Sequence, residues 1–237
     1  MNVKRMRDEM DRNYRLEPAG EGQVSSFIAV IKERIAWMEQ MGMHQWNDEE
    51  YLDFYSEEYF AEHARNGRLF FLMRGADIAG AAALLESDER WDGDRAYLYV
   101  HHLATRTGLA GKGAGQAFLK AIEEYARKQG KRGVRLDCQA ENQALNRFYE
   151  KSGYRSVGEA FTAGDYVGIR KVLEFAEENG KKEVGGGIKR QNEKTGNGKN
   201  EREGWKEKPG RKLQRSITAY KGKLRRNCKS DKTYKKL

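Results

Sequence analysis

The sequence predicts a mixed α/β fold, α+β-like in its segregation, with a central, mostly antiparallel mixed sheet and helices on both of its faces. Two stretches predict it. The nearly all-apolar run 97–104 is followed by a glycine-rich loop, an amphipathic run 118–126, and then Val134, Leu136 and Cys138 alternating with Arg135 and Asp137. This reads as strand, loop, helix, strand. Upstream, two strand-like runs, 68–73 and 78–85, meet at Arg74-Gly75-Ala76-Asp77, a hairpin turn.

The remaining elements follow in chain order. Residues 14–18 read as a first short strand. Residues 24–41 put Phe27, Ile28, Ile31, Ile35 and Met38 on one helical stripe, which Gly42 ends. Residues 49–64 form a second helical candidate, whose Tyr51, Phe54, Tyr55, Tyr59 and Phe60 make a broad aromatic face. A polar loop over 86–95 leads to the central strand at 96–105. The helix after the glycine loop runs to Gln129 and buries Phe118, Ile122, Tyr125 and Ala126 before Gly130 stops it. The strand 133–138 has one covered face, a helix from about Gln143 to Lys151 ends at Gly153, and residues 156–173 hold the last one or two strands.

The chain has 237 residues, enough for one domain of ordinary size plus extras. Its charge is uneven: residues 181–237 carry 20 Lys+Arg against 6 Asp+Glu, so the overall +9 belongs to the tail and the rest is mildly acidic. The expected organisation is a charged, frayed segment 1–13, a folded domain 14–175, and a basic, Gly- and Lys-rich tail 176–237 with too few apolar residues to close a core, hence disordered. Within the tail, Leu213, Ile217, Tyr220 and Leu224 recur at helical spacing among Lys and Arg, a basic amphipathic pattern that Gly222 weakens. Such a tail is either a solvated extension or a contact for RNA or another acidic surface. Cys138 and Cys228 lie far apart, so no disulfide framework is expected. With no apolar run of bilayer length and no cleavable signal, the expectation is a soluble, cytoplasmic protein. No His/Cys cluster has metal-ligand spacing, so no metal is expected.

The run Gly111-Lys112-Gly113-Ala114-Gly115 places three glycines in five residues at the start of a helix. Backbone N–H groups converge there without Cβ obstruction, and the helix adds the positive end of its dipole, so an anionic, pyrophosphate-bearing ligand is expected. Two phosphate loops are excluded by spelling. A P-loop would need glycine where Arg106 stands and Ser or Thr at Gly113, and a dinucleotide fingerprint would need its third glycine at Gln116.

The loop is similar instead to the R/Q-x-x-G-x-G/A acetyl-CoA site of the GNAT N-acetyltransferase superfamily. The segment Asn142-Gln-Ala-Leu-Asn-Arg-Phe-Tyr149-Glu-Lys-Ser-Gly153-Tyr154 resembles that family's N-x-x-A-x-x-x-Y-E-K-x-G-F stretch after the next strand. Two motifs in this order, separated by one helix and one strand, are far more specific than either alone. The resemblance covers most of 14–175 and is strongest over 97–154. It implies the GNAT fold, in which two parallel neighbours splay apart, here the strands near 96–105 and 133–138, with the pantetheine arm in the gap. It also implies that acetyl-CoA is the acyl donor, that Ala110, Gly111, Lys112, Gly113, Ala114, Gly115 and Gln116 bind its pyrophosphate, and that the backbone of Leu103, Ala104 and Thr105 pairs with its amides. Ala110 departs from the motif's Arg or Gln, which lowers the expected CoA affinity; Lys112 and Arg106 are near enough in sequence to supply charge.

The implied reaction moves an acetyl group to a primary amine by direct attack in a ternary complex. An amine of pKa about 10.4 is neutral in only about one molecule in 10³ at pH 7, so a base helps it attack, and an acid helps a thiolate of pKa about 8.5 to leave. Tyr149 matches the family tyrosine that protonates the sulfur; the alternative is a core aromatic. For the base, His101 comes first, since His101-His102-Leu103-Ala104 is similar to the His-x-Leu-Ala stretch of the serotonin N-acetyltransferases within the family; a buried structural imidazole is the alternative. Glu86 is second, against a solvated loop carboxylate. Strand alternation puts His101 on one face with Tyr99, Leu103 and Thr105, and turns His102 to the other as a satisfied core or helix-facing residue. Asn142 matches the CoA-contacting asparagine and also suits a helix N-cap, with Asn146 one turn later. Cys138 is read as a small core residue rather than a nucleophile. The loop 42–47, with Trp46, Trp37 and the following Asp48, Glu49 and Glu50, would roof the acceptor, a small-molecule or peptide amine. The resemblance leaves room for a homodimer. The alternative function is an RNA- or ribosome-associated protein acting through its tail.

Overall fold

The computed structural model describes residues 14–43, 45–46, 51–163 and 166–176, all within one compact unit, Met1–Asn179. The segment 1–13, His44, Asn47 to Glu50 of the expected acceptor roof, and the tail from 177, with Cys228 and the 213–224 pattern, lie outside the described residues.

Among the described residues, seven strands form one sheet: β1 (Tyr14–Pro18), β2 (Leu69–Arg74), β3 (Asp77–Leu85), β4 (Tyr97–Thr105), β5 (Gly133–Gln139), β6 (Arg155–Ala163) and β7 (Tyr166–Glu174). Their spatial order is β1-β2-β3-β4-β5-β7-β6. Every neighbouring pair is antiparallel except β4 and β5. The exception has a cause: β4 and β5 are joined by a helix, and a crossover returns the chain in the same direction. The helices are α1 (Val24–Gln40), α2 (Tyr51–Phe54), α3 (Glu57–Arg65), α4 (Ala114–Lys128) and α5 (Gln143–Lys151).

Both faces of the sheet are covered. On one, Phe118, Leu119, Ile122 and Ala126 of α4 pack on Phe70, Leu72, Leu84, Leu98, Val134 and Leu136. On the other, Phe27, Val30 and Ile31 of α1 and Phe60 of α3 pack on Leu69, Phe71, Ala81 and Ala83. Double coverage explains why β2 reads Leu-Phe-Phe-Leu without polar alternation. Each fully buried side chain of this size contributes about 1.5–3 kcal/mol.

Two expectations change. The helix read over 49–64 is broken, because Ser56 adopts an extended conformation and its hydroxyl accepts the N–H of Tyr59, capping α3 as a separate helix. The last segment is two strands, β6 and β7, rather than an open choice of one or two.

Candidate active site

The glycine loop is anchored from behind. Glu33 of α1 accepts hydrogen bonds from Arg106 Nη1 at 2.7 Å, the Thr107 N–H at 2.6 Å and Thr107 Oγ1 at 2.7 Å, fixing the short 3-10 turn Thr107–Leu109 that leads into the loop. Burial alone would raise the Glu33 carboxyl, but these bonds from Arg106 and Thr107 hold it below its ordinary value. Arg106 also donates to the Ile78 carbonyl, and Lys112 donates to the Gly108 carbonyl at 2.9 Å. The expectation that Arg106 supplies charge for a ligand is therefore corrected: its guanidinium is committed to Glu33.

Gly113 is the N-cap of α4 with φ 82, a left-handed conformation that other residues adopt only with strain. Nothing lies within 4 Å of where its Cβ would project. The first helical bond runs from the Ala117 N–H to the Gly113 carbonyl, so the N–H groups of Gly113, Ala114, Gly115 and Gln116 precede the helical ladder. Gly115 serves another end: a Cβ there would lie 3.2 Å from the Phe148 ring, so its bareness lets α5 approach α4.

Beside this loop the sheet opens. Strands β4 and β5 pair from Tyr97↔Gly133 to Val100↔Leu136 and no further, while β5 stays paired with β7 as far as Gln139↔Gly168. On its other edge, β4 pairs Ala104 with Ala81 and His101 with Ala83. Three steps of β4 oppose two of β3, a bulge, and His102 within it has φ 54. On its β5 side, by contrast, the edge of β4 from His101 to Thr105 has no strand paired to it. Arg34 of α1 donates to the Thr105 carbonyl at 2.5 Å and to its hydroxyl at 3.1 Å, holding the far end of β4.

The bulge overturns the expected alternation of the histidines. It slips the side-chain phase by one, so the rings of His101 and His102 lie on the same side, with centroids 6.1 Å apart. Leu103 packs instead with the α4-side core, so His101 does not share its face. His102 is the satisfied core residue expected of it: Nδ1 meets the Tyr51 hydroxyl at 2.5 Å and Nε2 the Tyr59 hydroxyl at 3.1 Å. Burial first, then the charges of His101, His63 and Arg90, pushes its imidazole well below the ordinary value, keeping it neutral.

His101 has a partner that sequence reasoning missed. Its Nε2 lies 3.0 Å from Oδ2 of Asp88, in the loop between β3 and β4. Asp88 Oδ1 accepts the Arg90 N–H at 2.8 Å. Burial would raise this carboxyl, but the His101 bond and charge and the Arg90 N–H lower it below its usual range. Arg90 reaches Asp137 of β5 at 3.6 Å, and the Tyr166 hydroxyl donates to Asp137 at 2.7 Å. Trp46 stacks on Tyr51 at 5.0 Å between centroids, and Tyr51–Tyr55 and Tyr55–Tyr59 follow as tilted pairs at 4.8 and 5.0 Å, an aromatic wall that reaches the His102 ring. Glu86 lies elsewhere: it is 61% exposed, paired with Arg95, and its charge bears on Tyr125 of α4, across the sheet.

On the α4 side, Tyr149 is only 6% exposed within the core. Burial, then the nearby Cys138 and Asp137, pushes its phenol far up. Cys138 is buried, and its thiol is pushed up to about 12, chiefly by burial, which suits packing rather than nucleophilic attack. Asn142 is the N-cap of α5, accepting the Leu145 N–H at 3.0 Å. Asn146 donates to the carbonyls of Gln139, Ala140 and Asn142, so its amide ties the β5–α5 turn together. Among the described residues, no group of three or more His, Cys, Asp or Glu could hold a metal, and no helix is long and apolar enough to cross a membrane.

The acetyltransferase (GNAT) family matches residues 32–154, just over half of the chain. Over 148 residues, 60% of this chain and 81% of the other, the sequence is 26% identical to a protein of Bacillus subtilis (strain 168) named uncharacterized N-acetyltransferase YesJ. A GNAT-family acetyltransferase from Streptococcus agalactiae superposes with a TM-score of 0.60 at 20% identity, over 69% of this chain and 96% of that one. PaiA N-acetyltransferase from Thermoplasma acidophilum, solved in complex with coenzyme A, superposes with a TM-score of 0.53 at 15% identity, over 66% and 97%. At these identities the two structures attest the fold.

Proposed function

The chain belongs to the acetyltransferase (GNAT) family, and from that premise we propose that it transfers an acetyl group from acetyl-CoA to a primary amine by direct attack within a ternary complex. The observation that carries this is the end of β4–β5 pairing at Val100↔Leu136 beside a left-handed glycine helix start. An extended thioester arm needs unpaired backbone along a strand, and its pyrophosphate needs free N–H groups.

In this reading the N–H groups over Gly111, Lys112, Gly113, Ala114, Gly115 and Gln116, after Ala110, take the pyrophosphate, and the gap-facing backbone of Leu103, Ala104 and Thr105 takes the amides of the arm. Asn142 keeps its amide N–H groups for the donor while its oxygen caps α5; Asn146 supports it by shaping the turn. His101 accepts the acceptor ammonium's proton from one side of the sheet, and Tyr149 addresses the sulfur from the other. Only a gap between strands lets groups on opposite faces address one bond. Glu86, exposed and bound to Arg95, is the weaker base. The acceptor approaches along the aromatic wall of Tyr51, Tyr55 and Tyr59, and its identity as a small molecule or a peptide end is open to screening. The catalytic domain spans 14–175, and the tail beyond it is accessory. The tail's excess of 20 Lys+Arg over 6 Asp+Glu favours a second, separable role in binding RNA.

Isothermal titration of acetyl-CoA and of CoA into the full chain tests the site. Saturable binding is expected, and it should disappear in Gly113→Trp, whose side chain would fill the open space at the helix start while the circular dichroism spectrum is kept. A folded wild-type chain that binds neither ligand would overturn the proposal.

A further inference from the structure

Asp88 shares its loop with Asp92 and Asp94, and nothing in the sequence distinguishes it from them. In the folded chain it is different. Its side chain is 9% exposed, against 56% for Asp92. The loop is wound around it, since its carbonyl accepts the N–H groups of Trp91 and Gly93, both at 3.1 Å. Each carboxylate oxygen has its own donor, Oδ1 the Arg90 N–H at 2.8 Å and Oδ2 the His101 Nε2 at 3.0 Å. The carboxylate is ionised, so it has no proton to offer. The ring must donate, which places the proton on Nε2 and the lone pair on Nδ1.

We propose that Asp88 is the positioning residue for His101: it selects the Nε2–H tautomer, aims Nδ1 as the basic nitrogen, and stabilises the imidazolium that forms when Nδ1 is protonated. The inference rests on the reading of His101 as the base. The step balances simply. The acceptor ammonium gives one proton to Nδ1; the neutral amine nitrogen attacks the thioester carbon and the C–S bond breaks. The second amine proton is released as the amide forms, and the departing sulfur takes up one proton to become the CoA thiol. The proton on His101 returns to solvent.

The Arg90 N–H makes the proposal testable by one substitution. It requires an acceptor at Oδ1, so in Asp88→Asn the amide oxygen turns to Arg90 and the amide NH₂ turns to His101. An NH₂ cannot accept, so the ring must present its lone pair on Nε2 and carry its proton on Nδ1, the wrong tautomer for the reaction. The expected results are two. Ring ¹⁵N spectra of the full chain, read without any substrate, show His101 protonated on Nε2 in the wild type and on Nδ1 in Asp88→Asn. Turnover of an accepted amine falls about 10²-fold or more, the range general bases supply, while the acetyl-CoA dissociation constant stays within about twofold. A wild-type ring protonated on Nδ1, or an Asp88→Asn ring unchanged from wild type, would sink the inference. Should the tautomers behave as stated while His101→Ala turns over at the wild-type rate, the positioning by Asp88 stands and the assignment of His101 as base falls.

Discussion

Tyr149, the proposed acid, shows what burial does to a phenol. Its proton is held far more tightly than in water, so the hydroxyl is always available as a donor. Full transfer to a thiolate of pKa about 8.5 runs uphill, so in the proposed reaction the group would act mainly by hydrogen bonding the developing negative charge on sulfur. A hydrogen bond to a charged group contributes about 1.5–3 kcal/mol, so Tyr149→Phe should lower kcat by about 10- to 100-fold, with little change in acetyl-CoA affinity by titration. An unchanged kcat would leave Tyr149 as a core aromatic packed against Phe148 and Tyr154. At this scale the sequence singled out residues wherever a motif carried them, as for Tyr149 and Asn142. It was silent on Asp88, Arg90 and Glu33, whose partners are 13, 47 and 73 positions away and leave no local spacing to read.

Between elements, the bulge in β4 decides most of the site. It follows directly on the last β4–β5 pair, Val100↔Leu136, and it turns His102 into the tyrosines of α2 and α3 beside His101. His102 also makes the joint between β4 and those helices sensitive to pH. A histidine held neutral in the fold contributes stability above its ordinary pKa of about 6.5. That stability is lost as pH falls from there toward the lower folded value, because the unfolded chain then binds a proton that the folded chain refuses. Urea unfolding should therefore show a lower midpoint at pH 5.5 than at pH 7.5, with a smaller difference in His102→Gln. His63 is pushed down in the same direction, chiefly by burial, so part of the slope persists. An equal slope in the variant would mean that His102 titrates alike in both states. The helices were legible from periodicity and caps, and Gln143–Lys151 came out as read. The break at Ser56 and the bulge were not: a hydroxyl that caps and a hydroxyl that merely sits on a helix look alike in sequence, and a bulge is a property of two strands at once.

Across the whole molecule, in the proposed reading the donor groups lie on the α4 and α5 side of one sheet and the acceptor groups on its α1 to α3 side, with the end of β4–β5 pairing between them. The basic tail carries neither of the two motifs that mark the family. Deleting 181–237 should leave acetyl-CoA binding within about twofold while abolishing any salt-dependent RNA binding of the full chain. Loss of acetyl-CoA binding in a folded truncation would show that the tail belongs to the enzyme. From the sequence by itself came the class of fold, the order of its elements, the glycine helix start and the pairing of motifs that marks the family, because periodicity, capping and turn chemistry act over a few residues. Tertiary structure alone decided where β4 leaves β5, that both histidines turn the same way, and that Asp88 meets His101, because each depends on the register of segments distant along the chain.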